Sequence, residues 1–368
     1  MNKVKKGKRV KLALHLLLLN LVVASPNLLA ESTPIKVNVF IASMFEIGDN
    51  TGDKAGEFQY WYNSYFNAEK ADQKQYQIPV VGAEKEVYCN SNGICGAVLG
   101  MGKVASASSM QAILLNERFD FSDAYFIFSG VAGTPPSKGT IGDVSIGTYV
   151  VDYDLGHRWA SDEVKSGAPL FTPRNGYEAI RCYKMPEHLV SFAKKATEKM
   201  ILADSPDAKA YRLRYPDKEA RRAPKIIYGS HFTGDTFFHG PGLSNEAQYM
   251  SELYRVDDYV ITEMEASGLM QVLVRHGFAD KAISLRAAVN FDQGHPKEST
   301  LAHLDPAPGE TAGGFDQALQ NMHAVGLELI NGLAKKPSAL EVSLKKATAT
   351  TDDSCTVDTE LLIQPKDY

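Results

Sequence analysis

Glu263-Met264-Glu265-Ala266-Ser267-Gly268 sets two acidic side chains around a methionine, where a strand pattern gives way to a helical one. Acidic residues at a helix start are ordinary complements to the helix dipole. A carboxylate beside a thioether is also how a sugar diol is held. The carboxylate accepts two hydroxyl hydrogens while the sulfur side chain covers the sugar's apolar face. Thr233-Gly234-Asp235-Thr236-Phe237-Phe238 ends another strand, and its two rings could stack on a flat base or simply fill the core. Arg286-Ala287-Ala288-Val289-Asn290-Phe291-Asp292 ends a third. There Asn290 or Asp292 could bond a ring nitrogen of such a base, or either could cap a helix. Ser129-Gly130-Val131-Ala132-Gly133 follows a fourth strand. Its glycines would let backbone N–H groups approach a ligand closely, and a plain turn would use them equally well.

Open α/β sheets bind ligands beyond the carboxyl ends of their strands, so these stretches belong together only if the chain builds such a sheet. Short apolar or β-branched runs over 35–43, 80–88, 96–100, 124–129, 143–153, 226–228, 259–261 and 282–289 read as strands. Segments 57–68, 103–116, 186–201, 264–276 and 314–333, and a stretch from about Asn245, have helical character. Strands alternating with helices predict an α/β fold, one mixed sheet covered on both faces. Residues 160–224 are polar and Pro-containing around one helix, and read as an insertion rather than a separate domain. Residues 336–368 open Lys-, Ala- and Thr-rich and read as a tail draped over a main domain of 35–335. No internal repeat is found.

The chain has 368 residues, 44% hydrophobic and 23% charged, a globular balance with room for one large domain or two ordinary ones. Residues 1–30 are of another kind. Lys3, Lys5, Lys6, Lys8, Arg9 and Lys11 precede an apolar run over 12–24 that is short for a bilayer, with small residues near Ser25 and Ala30. This is the pattern of a secretory signal peptide, against the alternative of an uncleaved anchor. It predicts an exported protein, periplasmic or extracellular. Removing those six basic residues and no acidic one moves the formal balance from −5 to −11. So acidic a surface repels phosphate backbones, and nucleic acid is not an expected partner. Downstream no apolar stretch has transmembrane length, so no membrane-spanning segment is expected in the mature chain.

Four cysteines remain, and export permits disulfides. Cys89 and Cys95 enclose Asn90-Ser91-Asn92-Gly93, a turn suited to a stapled hairpin. A metal site is the competing reading, but no histidine lies near, and neither metal nor cofactor is expected. Cys182–Cys355 then follows as a second bond by elimination.

Taken in order and spacing, Gly100-Met101-Gly102-Lys103-Val104-Ala105, residues 129–133 with Gly142-Asp143-Val144, Gly234-Asp235-Thr236-Phe237, residues 263–266 and residues 286–290 resemble the nucleoside phosphorylase and methylthioadenosine nucleosidase superfamily. Within it the chain looks most like the purine nucleoside permease family. Its export-type N-terminus, its Met44-Phe45-Glu46 opening and the Cys89–Cys95 hairpin carry that likeness, which covers about residues 35–330. The resemblance implies a three-layer α/β/α sandwich with a twisted mixed sheet, usually assembled as a homo-oligomer, that binds a nucleoside, first of all a purine nucleoside. By position it implies that Glu265 binds the ribose 2′ and 3′ hydroxyls, Met264 packs under the sugar, Phe237 lies on the base and Asn290 addresses N7. Gly130, Ala132 and Gly133 would line the same pocket. Glu46 lies at or one place from the carboxylate that activates water in the nucleosidases.

Two departures qualify the implied chemistry. Where the superfamily often has Asp near position 290, Asn290 can donate to N7 but cannot deliver a proton, so leaving-group activation is weaker or passes to Asp292. Phosphorylases also place arginines after the first strand and before the glycine stretch. Here Gly48-Asp49-Asn50-Thr51-Gly52-Asp53 and Phe126-Ile127-Phe128 stand in those places, and nearby carboxylates would repel phosphate. Two roles remain: nucleoside capture in uptake with a membrane partner, or hydrolysis of the N-glycosidic bond, with phosphorolysis disfavoured.

Overall fold

Strand β1 (Val39–Ser43) is buried along its whole length, and successive residues point to opposite faces. Val39 and Ile41 join an apolar cluster with α5 (Phe315–Ala334), whereas Phe40 and Ala42 join another with α1 (Lys103–Leu114) and α4 (Ala266–Arg275). A strand that is apolar at both parities is stable only between two covering layers. The computed structural model describes residues 33–69, 74–165, 168–173, 180–305, 312–335 and 354–362, and the chain from Pro34 onward forms one unit. The signal-peptide expectation for residues 1–30 lies outside the described residues.

Nine further strands complete a mixed ten-stranded sheet: β2 (Gln75–Ile78), β3 (Val87–Asn90), β4 (Ile94–Val98), β5 (Tyr125–Thr134), β6 (Val144–Asp152), β7 (Cys182–Lys184), β8 (Ile226–Thr233), β9 (Tyr259–Glu263) and β10 (Ala282–Phe291). Their order is β7-β6-β8-β9-β5-β1-β4-β3-β2, and β10 pairs with both β5 and β6. The pairings β6–β8, β8–β9, β9–β5, β5–β10 and β10–β6 therefore close a ring. Helices α1 and α4 cover one face, α2 (Glu187–Thr197) and α5 cover the other, and α3 (Pro241–Leu253) packs on Phe232 and Tyr259 of β8 and β9. The result is the expected α/β/α sandwich.

Two local expectations are corrected. The 129–133 stretch is not a turn after a strand but the end of β5, because β10 runs parallel to it from Phe126 to Thr134 and satisfies its backbone. Segment 57–68 is not a regular helix: one turn, Gln59–Trp61, widens into a π-helical turn, Tyr62–Phe66. The bulk of that run explains the widening, with Phe58 stacked 5.8 Å from Phe66 and Tyr62 edge-on at 5.2 Å to Tyr88. Within residues 160–224, two described elements join the main body. β7 extends the sheet antiparallel to β6, and α2 packs with α5. Both disulfides are present, Cys89–Cys95 across the β3–β4 hairpin and Cys182–Cys355 fastening the 354–362 segment to β7. No helix among the described residues is long and apolar enough to cross a membrane.

Candidate functional site

Glu263 and Glu265 are both buried, which requires partners for each charge. The start of α4 supplies the first set. Glu263 folds back over the helix so that its Oε2 accepts the N–H groups of Glu265 and Ala266 at 2.9 and 2.8 Å, while the Thr233 hydroxyl donates to Oε1. It acts as a cap on otherwise unpaired helix N–H groups. Glu265 accepts the Gly102 N–H at 3.0 Å and Arg286 Nη1 at 3.1 Å, one on each oxygen. Arg286 Nη2 reaches Glu263 at 2.6 Å. A third buried carboxylate, Glu57, arrives from the loop before the π-helical turn. Its two oxygens accept the N–H groups of Met44 and Val131, each at 2.7 Å.

Gly130 stands where these groups converge. A Cβ there would lie 2.5 Å from Arg286 Nη1 and 2.8 Å from Glu57 Oε1, so only glycine lets both charged groups meet over β5. Three carboxylates crowd one guanidinium, and the acidities of Glu57 and Glu265 show the imbalance. Burial, then repulsion from Glu265, pushes Glu57 up to about 8, against the pull of Arg286 and the two N–H donors. Burial raises Glu265 too, with Arg286 opposing and Glu263 reinforcing the shift. Burial works against the charge of Arg286, but the surrounding glutamates outweigh it and hold its pKa high. Glu57 is thus a carboxyl group that exchanges its proton near neutrality, the property expected of acid–base groups at functional sites.

Glu46 has a different task. Its carboxylate accepts the N–H groups of Ile47 at 2.9 Å, Phe58 at 2.8 Å, Gly56 and Gln59. It ties down the 56–59 loop from which Glu57 projects.

Next to this cluster the loop after β8 is fastened to the start of α1. Asp235 Oδ1 accepts the Lys103 N–H at 2.7 Å, and Lys103 Nζ lies 3.1 Å from Asp152 and 2.8 Å from Asp154. Two residues on, Phe237 is 52% exposed and borders a cavity of about 490 Å³ together with Val289 and Asn290. A bulge brings those two there: Ala288 pairs with Ala132 and Asn290 with Gly133, leaving Val289 as the extra residue. Bulges of this kind re-aim side chains beside functional sites. Asn290 Nδ2 donates to the Phe291 carbonyl at 2.7 Å and would lie 3.3 Å from a Cβ at Gly133.

The expected residues are therefore distributed as follows. Gly130 and Glu265 meet at Arg286, with Met264 half-buried between the two glutamates. Ala132 and Gly133 pair with the bulge, and Phe237 and Asn290 share the cavity. Asp292 is fully buried off the cavity wall, its Oδ2 accepting the Tyr259 hydroxyl at 2.8 Å, and burial lifts its pKa to about 6. Sequence reasoning missed Glu57, the charge role of Arg286, and the cavity histidines His239 and His303. An arginine inside the apolar run Ser284-Leu285-Arg286-Ala287-Ala288 was a usable signal, because a buried cation demands buried anions.

Residues 36–339 match the model of the family described as purine nucleoside permease (NUP). The chain belongs to the purine nucleoside permease family. It is 25% identical over 345 residues to a probable purine nucleoside permease of Schizosaccharomyces pombe, covering 86% of this chain and 94% of that protein. It is 26% identical over 273 residues to a purine nucleoside permease of Candida albicans, covering 68% of this chain and 66% of the relative. Among solved structures, a Helicobacter pylori 5′-methylthioadenosine nucleosidase mutant with 5′-methylthioadenosine in its active site aligns with a TM-score of 0.51 at 16% identity, over 80% of this chain and 98% of that one. Futalosine hydrolase from Helicobacter pylori aligns with a TM-score of 0.50 at 16% identity, over 81% and 97%. At such identities the structural likeness of this family member is one of fold.

Proposed function

We propose that this permease-family chain is an exported purine-nucleoside-binding protein acting in nucleoside uptake, with the ribose on Glu265 and the base between Phe237 and Asn290. The observation that carries the reading is the setting of Glu265, a buried carboxylate held at a strand–helix junction by Gly102 and Arg286. Each of its oxygens keeps a further lone pair for a sugar hydroxyl, and Met264 stands beside it as an apolar floor. The permease relatives and the nucleosidase-like fold point to the same ligand class. With no crossing helix among the described residues, the role is capture and delivery to a membrane partner. A homo-oligomer belongs to this reading, in which Met101, Val104 and Leu115, 63%, 78% and 66% exposed, are apolar side chains that an interface would cover.

Glu57 supports a second reading, cleavage of the N-glycosidic bond by water. Ionised, it would take the proton of a water attacking C1′, while Glu265 stabilises positive charge developing on the sugar. Glu46 and Asp292 then serve as supports, one holding the loop of Glu57 and the other buried behind the end of β10. Phosphorolysis is disfavoured because Arg286 is already shared among carboxylates that would repel phosphate.

The test is to incubate the purified protein with adenosine, inosine and guanosine, with and without phosphate, and to follow free base. Binding without release supports capture, and release without phosphate supports hydrolysis. Release only with phosphate contradicts the charge argument, and absence of binding to all three sinks the nucleoside assignment.

A further inference from the structure

Two consecutive backbone N–H groups at the start of α1 serve different parts of the site. That of Gly102 goes to Glu265 at 3.0 Å, and that of Lys103 goes to Oδ1 of Asp235 at 2.7 Å. N–H groups at a helix start have no partner within the helix and take carboxylates readily. Here one holds the carboxylate assigned to the sugar, and the other holds the loop that carries Phe237. A Cβ at Gly102 would lie 3.1 Å from Asp235 Oδ1, and φ there is +84°, so glycine permits the approach.

The Lys103 side chain reinforces this contact. Its ammonium lies 3.1 Å from Asp152, 2.8 Å from Asp154 and 4.0 Å from Asp235. Burial works against its charge, but Asp152 and Asp154 outweigh it and hold the pKa high. Three carboxylates thus meet over a single cation. Asp152 closes β6 and also accepts the Ser267 hydroxyl at 3.0 Å, while Asp154 accepts the Asp235 N–H at 2.8 Å. Asp235 lies outside any strand or helix, and its side chain is 49% exposed against 16% and 29% for the other two. Without the ammonium the three charges repel, and Asp235 is the one with room to withdraw.

Phe237 hangs between two attachments of different kinds. After it, Phe238 is buried and stacked 4.6 Å from Tyr153, an apolar contact that does not depend on charge. Before it, the Gly234 N–H stays on the Glu263 carbonyl at 3.0 Å, and the next hold is the clamp on Asp235. Loss of the clamp releases residues 235–237 while both flanks stay seated. The half-exposed ring of Phe237 then loses its fixed place.

We propose that Lys103 is a positioning residue for the base: its ammonium keeps Asp235 against the start of α1, and so holds Phe237 at the stacking position that matches a sugar on Glu265. The proposal rests on the nucleoside reading and deepens it by naming the group that sets the spacing between the sugar and base contacts.

Calorimetric titration of the full chain with adenosine tests it. Lys103→Met is expected to weaken binding about five- to tenfold, and Asp235→Ala, at a half-exposed position, should do the same. Adding Asp235→Asn to Lys103→Met removes the repelled charge but keeps an oxygen for the helix N–H, so affinity should return to within about threefold of wild type. A mere hole at position 103 would not be repaired by that change. In a Phe237→Ala background, neither Lys103→Met nor Asp235→Ala should matter by more than about twofold, because the ring they place is absent. Losses that multiply in full with that of Phe237→Ala overturn the proposal. Wild-type affinity in Asp235→Ala overturns it as well, and that variant decides even where Lys103→Met fails to fold. Wild-type protein that binds no adenosine removes the nucleoside reading and the clamp with it. Binding that is lost in Glu265→Ala but unchanged in Lys103→Met and Asp235→Ala removes the clamp alone.

Discussion

Around Arg286 the side chains are charged, dry and tied to backbone N–H groups, whereas around His239 they are neutral, bonded side chain to side chain, and border open space. The first region is assembled from β5, β9, β10 and the loop after β1, all parts of the sheet or its immediate turns. The second joins the loop after β8 with His303 and Tyr215, which come from segments outside the sheet. Charge placement thus falls to the frame, and the wall of the open cavity to the additions. A buried ion cluster tolerates little change, because removing one partner strands the others. A neutral imidazole pair can be altered with smaller consequences for folding.

The sharpest way to break that contrast is Arg286→Met. It leaves Glu57, Glu263 and Glu265 buried without their cation and should cost about 3–5 kcal/mol in chemical denaturation. Stability close to wild type would mean that the three carboxylates already share enough protons to dispense with the arginine. Next comes Glu265→Ala, expected to weaken nucleoside binding by about 2–4 kcal/mol in titration, and retained affinity would move the sugar elsewhere. Gly130→Ala drives a methyl against Arg286 and Glu57 and should lose about 1–3 kcal/mol of stability.

A pH series sharpens the same contrast. The folded-state pKa of Glu57, about 8, lies above its ordinary value of 4.5. Its contribution to stability is therefore complete below about pH 4.5 and is lost as pH rises through 8. The expected loss between pH 5 and 8 is on the order of 3 kcal/mol, and Glu57→Ala should flatten that part of the profile. The smallest effect belongs to the cavity side. Phe237→Ala, at a half-exposed ring, should change stability by less than about 0.5 kcal/mol while weakening nucleoside binding, and a large loss of stability would make Phe237 a core residue.

Much of this was legible because sheet-forming runs are local. Val39–Ser43 and Ala282–Phe291 announce themselves by apolar content, and the hairpin cysteines by the turn they enclose. Glu265, Asn290 and Phe237 could be picked out because each closes such a run. Strand ends were less legible: β5 continues through Gly130 and Gly133 only because β10, far along the chain, pairs with it. Glu57 was hidden for a related reason. Nothing between positions 46 and 57 says which glutamate caps a loop and which reaches Arg286, since that choice is made by the π-helical turn and by the Val131 N–H. The histidine pair was illegible altogether. His239 and His303 are far apart in sequence, and their contact depends on how two non-sheet segments fold back over one cavity.

The central claim is that Glu265 holds a ribose diol. The most direct measurement compares the affinity of the wild-type protein for adenosine and for 2′,3′-dideoxyadenosine. Loss of both hydroxyl contacts should weaken binding by about 30-fold or more. Equal affinity for the two would show that the carboxylate beside Arg286 does not touch the sugar.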